Sequence, residues 1–322
     1  MKSLTKKIFL ISGCCMGAGL LLTGAGVASG GWPGFALTRT GVLSASSREE
    51  PYTMEKTRLE EFSGIDLVIG SEADIEFLPS DDNSFYLEYT LYGQSGRQVY
   101  DISDDTLHFT YDIDNSVGVY FFGLGSGTRS GSPVIRIYVP ENRQLSKVDI
   151  RSSFGDLLIC DLSAKQADIR VDYGDLNMEN ADFNTGTLEL SAGDLEISDS
   201  TIKTLSLTNE YGDCELTGMN VESAALTIDA GDLIFRADSL ETLTGYNDYG
   251  DTSLTLPGQF VDYSFTLYTE YGEITVPEDA PGRLVSEDMM EMTYDSQGDG
   301  EKNIEFEASS GNIVVDTDTA VR

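Results

Sequence analysis

A glycine followed by an acidic residue returns at a fixed interval along this chain, and that interval restricts the fold more than any other feature. The triplets are Phe154-Gly155-Asp156, Tyr173-Gly174-Asp175, Ala192-Gly193-Asp194, Tyr211-Gly212-Asp213, Ala230-Gly231-Asp232 and Tyr249-Gly250-Asp251, with the glycines 19 residues apart five times running. Looser copies follow at Tyr271-Gly272-Glu273 and Ser310-Gly311-Asn312 after steps of 22 and 39, the second step reading as about two repeats. A unit this short buries too little apolar surface to offset the entropy of ordering it, so each unit needs its neighbours.

Counting each glycine as zero, positions +2 and +4 are apolar: Leu157 and Ile159, Leu176 and Met178, Leu195 and Ile197, Cys214 and Leu216, Leu233 and Phe235. Position +9 holds Ala164, Phe183, Ile202, Val221 and Leu240, and position +14 holds Ile169, Leu188, Leu207 and Leu226. The pattern describes two short strands per unit, with one corner at Gly-Asp and a second near +7. Equivalent strands then stack in register as parallel sheets around an apolar axis, and such crossovers are right-handed. The expected fold is all-β: a right-handed parallel β-helix, a solenoid with 19-residue coils. Helical repeats would show 3.6-residue spacing, and a β-propeller would need about 40 residues per blade.

Two columns of this solenoid carry the candidate chemistry. At −1 stand Phe154, Tyr173, Ala192, Tyr211, Ala230 and Tyr249, and at −3 stand Ser152, Val171, Leu190, Asn209, Ile228 and Asn247. A large residue in one column tends to meet a small or polar one in the other, which suggests that both share one interior space. The competing reading is an exposed aromatic ladder that stacks on sugar rings, leaving Asn209 and Asn247 in need of internal partners. The second column, Asp156, Asp175, Asp194, Asp213, Asp232 and Asp251, places carboxylates one ladder spacing apart, about 4.8 Å. Asp after Gly is first a turn residue bonding its own backbone. As a metal site, the same column offers oxygen ligands to Ca²⁺, the one cofactor the pattern admits.

Charge narrows the partners. The formal charge is −35, and since Lys2, Lys6 and Lys7 are the only charges before Arg39, the remainder carries −38. Such a field repels nucleic acid and anionic lipid and favours cations, basic proteins and solubility. The single histidine, His108, leaves little room for acid-base or zinc chemistry, and no phosphate-binding glycine loop opens a helix. No catalytic residue is expected. Of the cysteines outside the N-terminal segment, Cys214 is inward and Cys160 outward, so no disulfide joins them.

From Ile8 to Gly31 there is no charge, and three lysines precede the run. The run is long enough to span a membrane, with the lysines cytoplasmic and the rest of the chain outside. The alternative is a signal peptide cut after Ala28, before Ser29. Ile11-Ser12-Gly13-Cys14 has the form of a lipoprotein processing box but follows Lys7 too closely, and Gly13 with Gly17 forms a weak helix-pairing motif. The organisation is therefore an anchor or signal segment over 1–32, a linker over 33–56 and a solenoid over 57–318. Within the solenoid, 57–140 supplies irregular opening coils and a cap, and 141–318 the regular repeats. The insertion from Val117 to Ser132, with Tyr120-Phe121-Phe122, is either an apolar loop over the cap or an exposed contact site.

The chain resembles the bacterial "putative adhesin" family of β-strand-repeat proteins, a domain of unknown function. The residues that carry the likeness are Phe62-Ser63-Gly64-Ile65, Ala73-Asp74-Ile75-Glu76-Phe77, Ile135-Arg136-Ile137-Tyr138-Val139-Pro140 and the repeated Gly-Asp-Leu corners, together spanning roughly residues 57 to 316. The resemblance implies an extracytoplasmic protein with an N-terminal span, and it supplies no catalytic residues. Three functions remain open: a surface module binding an envelope protein or glycan, a membrane-tethered envelope-stress sensor or accessory protein, and a polysaccharide-cleaving β-helix enzyme.

Overall fold

The computed structural model describes residues 35–38, 41–44, 51–92, 98–112, 119–121, 132–287, 291–298 and 300–318. These form two units. In the first, strand Phe35–Thr38 pairs antiparallel with both Gly41–Ser44 and Val119–Phe121. The stretch expected to be a linker therefore carries strands. The second unit, Tyr52–Asp112 and Pro133–Arg322, is an all-β, solenoid-like stack. Among the described residues there is no α-helix, only a 3₁₀ turn at Phe260–Asp262, and none is long and apolar enough to cross a membrane. The proposed membrane segment, its processing motifs and most of the 117–132 insertion lie outside the described residues.

From Lys147 to Pro257 strands pair in parallel with a 19-residue offset: Leu157 lies beside Leu176, Leu176 beside Leu195, Leu195 beside Cys214 and Cys214 beside Leu233. The apolar positions at +2, +4, +9 and +14 are buried throughout, so strand alternation and coil period act together as read from the sequence. The second corner falls at +6, where Asp161, Asn180, Asp199 and Gly218 take left-handed φ of 55°, 54°, 47° and 63°. Only Gly, Asn and Asp adopt that backbone at low cost. A third bend, absent from the sequence reading, lies inside the long strands. In Ser163–Val171 the adjacent residues Lys165 and Gln166 are both exposed, and the pairing skips from Ala164 to Gln166.

The ends of the stack depart from chain order. Gly64–Ile69 lies between Thr106–Tyr111 and Lys147–Ser152, parallel to both. At the other end Lys302–Ser310 lies between Thr242–Tyr249 and Tyr263–Tyr271, parallel to both. The 39-residue step is thus not two coils. The chain builds the outer coil first, folds Arg283–Glu287 and Glu291–Ser296 as an antiparallel hairpin against it, and returns to insert one coil inward. Antiparallel strands also bound the opposite end, where Tyr86–Leu91 pairs with Val134–Val139 and Tyr52–Arg58.

Candidate functional site

The Gly-Asp corners stack into the most regular surface of the molecule. Gly212 has φ of +135°, and a Cβ there would stand inside 3.0 Å of the Gly193 carbonyl oxygen, with Asp194 Oδ1 at 3.0 Å. The same collision recurs at Gly155, Gly174, Gly193, Gly231 and Gly250. Glycine is needed at each corner because successive coils touch there backbone to backbone.

The aspartates are spent on the same contact. Asp175 N–H donates to Asp156 Oδ1 at 3.0 Å, Asp194 to Asp175 at 2.9 Å, Asp213 to Asp194 at 2.9 Å, Asp232 to Asp213 at 2.8 Å and Asp251 to Asp232 at 2.8 Å. Each carboxylate accepts from the next coil rather than from its own turn, which corrects the local-turn reading. The column extends beyond the six residues expected. Asp156 N–H donates to Asp74 Oδ1, Asn312 N–H to Asp251 Oδ1, and Glu273 N–H to Asn312 Oδ1. Among the described residues no group of three or more His, Cys, Asp or Glu side chains converges to hold a metal ion.

The aromatic column is exposed, contrary to the interior assignment: Phe154, Tyr173, Tyr211 and Tyr249 are 47 to 64% accessible, and Tyr271 is likewise open. The −3 residues are the buried ones. Strands Ser163–Val171, Asp182–Leu190 and Thr201–Asn209 end at −3, and where Thr242–Tyr249 and Tyr263–Tyr271 run on to −1 the last residue still faces out, so period-2 alternation fails at the residue before the corner in either case. The polarity of Asn209 also has a local cause. Its Nδ2 donates to the Gly212 carbonyl at 3.0 Å and the Gly193 carbonyl at 3.3 Å, and Asn247 Nδ2 repeats this with Gly231 and Gly250. Both Oδ1 atoms are buried without a hydrogen-bond partner.

Acidic side chains flank the aromatics. Position −2 holds Asp172, Glu210, Asp229, Asp248 and Glu270, and the Asp column lies on the other side. Elsewhere, His108 Nδ1 lies 3.1 Å from Asp66 Oδ2, and Arg136 binds Glu76 and Glu88. Among the described residues the two cysteines, Cys160 and Cys214, are free thiols. Burial pushes the Cys214 thiol up to about 11, against a hydrogen bond from Asn209 that acts the other way. Burial thus disfavours the thiolate, which is the nucleophilic form.

Residues 65–316 match the family model described as Toastrack DUF4097. No curated protein matches the chain. Among solved structures, a "putative adhesin" from Bacteroides fragilis is 15% identical, with 84% of this chain and 97% of that one covered at a TM-score of 0.48. A "putative adhesin" from Parabacteroides distasonis is 10% identical over 84% and 98% of the two chains at 0.46. A "putative lipid binding protein" from Parabacteroides distasonis is 13% identical over 82% and 96% at 0.34.

Proposed function

The chain belongs to the Toastrack DUF4097 family, and on that footing we propose that it is a non-enzymatic binding module of the bacterial cell envelope. In this reading residues 8–31 anchor it, Lys2, Lys6 and Lys7 stay in the cytoplasm, and the β-stack projects outward. Its fine architecture is a right-handed parallel β-helix of 19-residue coils, with handedness following from the general bias of parallel crossovers. The partner is a protein or glycan of the envelope or of a contacted surface.

One observation carries the binding assignment: a row of tyrosines held more than half exposed along the hydrogen-bonded corner, where a protein with no partner gains nothing from apolar rings in water. Tyrosine suits recognition, because a large ring with two rotatable bonds loses little conformational freedom on contact. The aspartate column is structural, since each Oδ1 is committed to a backbone N–H. Full-length protein in detergent, immobilised and exposed to envelope fractions, tests the assignment. Specific retention that disappears in Tyr211→Ala, Tyr249→Ala supports it, and equal retention by the variant refutes it.

A further inference from the structure

Building on the reading of the aromatic corner as a contact surface, we propose that its tyrosines form three equivalent slots for guanidinium groups, and that the ligand is an extended arginine-bearing peptide. The slots appear only in stack order. Because Ser310 sits beside both Tyr249 and Tyr271, the −1 column runs Phe154, Tyr173, Ala192, Tyr211, Ala230, Tyr249, Ser310, Tyr271. Beyond Phe154, tyrosine and a small residue alternate without a break.

Ring orientation follows from the one place where aromatics occupy adjacent coils. The Phe154 and Tyr173 rings lie within 8° of parallel with centroids 5.4 Å apart, so their faces look along the stack. Tyrosines two coils apart stand about 9.6 Å from one another. Each pair encloses a gap wider than one planar group, floored by Ala192, Ala230 or Ser310, so that a flat group can enter and lie against either ring. A group at its midpoint is about 4.8 Å from either ring, inside the roughly 6 Å reach of a cation–π contact.

Charge selects what enters. From the Tyr173 coil to the Tyr271 coil, every residue at −2 and +1 is acidic or uncharged. A second copy of this chain, carrying the same −35, is repelled. An ammonium has the charge but neither the flat shape nor the forked donors that stack between rings and bind carboxylates beside them. Elsewhere in the molecule a cation already lies on a tyrosine, with Lys56 Nζ 3.7 Å from the Tyr138 ring centroid.

Spacing selects the ligand backbone. In polyproline II geometry every third residue returns to one face after about 9.3 Å, close to the slot pitch. Alternate residues of a β-strand recur after only about 6.7 Å and miss it. The matching ligand carries arginine at every third position with proline between.

Fluorescence anisotropy with full-length protein in detergent tests this, using labelled peptides with four arginines in Arg-Pro-Pro repeats, four lysines in Lys-Pro-Pro repeats, and four arginines in Arg-Pro repeats. The Arg-Pro-Pro peptide should bind about ten-fold tighter than either comparator, with affinity falling as salt rises. Tyr211→Ala removes a wall shared by two slots and should weaken binding by about ten-fold. Ala192→Phe with Ala230→Phe fills two slots with rings stacked as Phe154 stacks on Tyr173. That variant should keep the wild-type circular dichroism and lose the preference for Arg-Pro-Pro. Equal binding of the three peptides, no binding of Arg-Pro-Pro to wild type, or undiminished binding by the slot-filled variant would each overturn the slots. If the peptides fail while envelope retention still depends on Tyr211 and Tyr249, the contact surface stands and the guanidinium assignment alone is lost.

Discussion

Replacing Gly212 by alanine tests the physics of the corner. A φ of +135° is tolerated by glycine, whereas a side chain there costs about 1 to 3 kcal/mol. The added Cβ also runs into the Gly193 carbonyl oxygen, so the two coils must separate. Separation loosens the Gly193 N–H bond to the Tyr211 carbonyl and the Asp213 N–H bond to Asp194 Oδ1, both 2.9 Å. At about 0.5 to 1.5 kcal/mol each, these add about 1 to 3 kcal/mol. The expected loss is therefore about 2 to 6 kcal/mol, a large part of the stability of an ordinary domain. Gly70→Ala is the control. Its φ is ordinary and its Cβ meets the exposed Asp112 carboxyl at 3.1 Å, the far end of a flexible side chain. A small carboxyl shift, offset by the reduced entropy of the unfolded chain, should keep this change within about 1 kcal/mol. Urea unfolding followed by far-ultraviolet circular dichroism measures both. If Gly212→Ala unfolds at the same urea concentration as Gly70→Ala, close approach of backbones at the corner is not what requires glycine.

The aspartate column should tolerate amides but not truncation. Asp213→Asn keeps the Oδ1 acceptor, removes repulsion between neighbouring carboxylates and repeats what Asn312 already does, so its urea midpoint should equal or exceed wild type. Asp213→Ala should lose about 1 kcal/mol in the same assay. Melting curves recorded with calcium and with chelator should coincide; a clear rise with calcium would return a metal role to the column. Cys214 should resist thiol reagents at neutral pH until the protein unfolds, as mass spectrometry of alkylated protein would reveal. Because its folded value of about 11 lies above its ordinary 9.0, its contribution to stability is complete below pH 9 and is lost as pH rises towards 11. Asn209→Leu should stay within about 1 kcal/mol of wild type in urea unfolding, since it exchanges corner hydrogen bonds for relief of an unpartnered Oδ1 and Leu190 already fills the equivalent site one coil away.

Much of the core was legible because coil period and strand period reinforce each other. Leu157, Leu176, Leu195, Cys214 and Leu233 share one phase, and sharing a phase in a parallel stack means sharing an environment. The assignment failed at −1, where Tyr211 and Asn209 were placed in the same interior. Volume compensation between two columns does not say which one faces water, and alternation fails at the residue before the corner even where the strand runs on to it, as at Tyr249. A signal was available: −1 directly precedes a glycine at a corner, where the backbone leaves the strand. The candidate site was therefore half visible, its residues correctly grouped in columns but the aromatic column turned the wrong way.

From the amino-acid order alone came the all-β class, the 19-residue offset between paired strands, the glycine corners and the buried columns, because each rests on the relation between one residue and its equivalent one repeat away. Tertiary structure alone decided that the tyrosines face solvent, that each aspartate bonds across coils, and that Lys302–Ser310 inserts between Thr242–Tyr249 and Tyr263–Tyr271. That insertion pairs segments 61 and 39 residues apart, and the alternation of Tyr249, Ser310 and Tyr271 exists only after it has occurred. Pairing at such separation is chosen by packing and backbone hydrogen bonding over the whole stack, for which no local pattern of residues is a substitute.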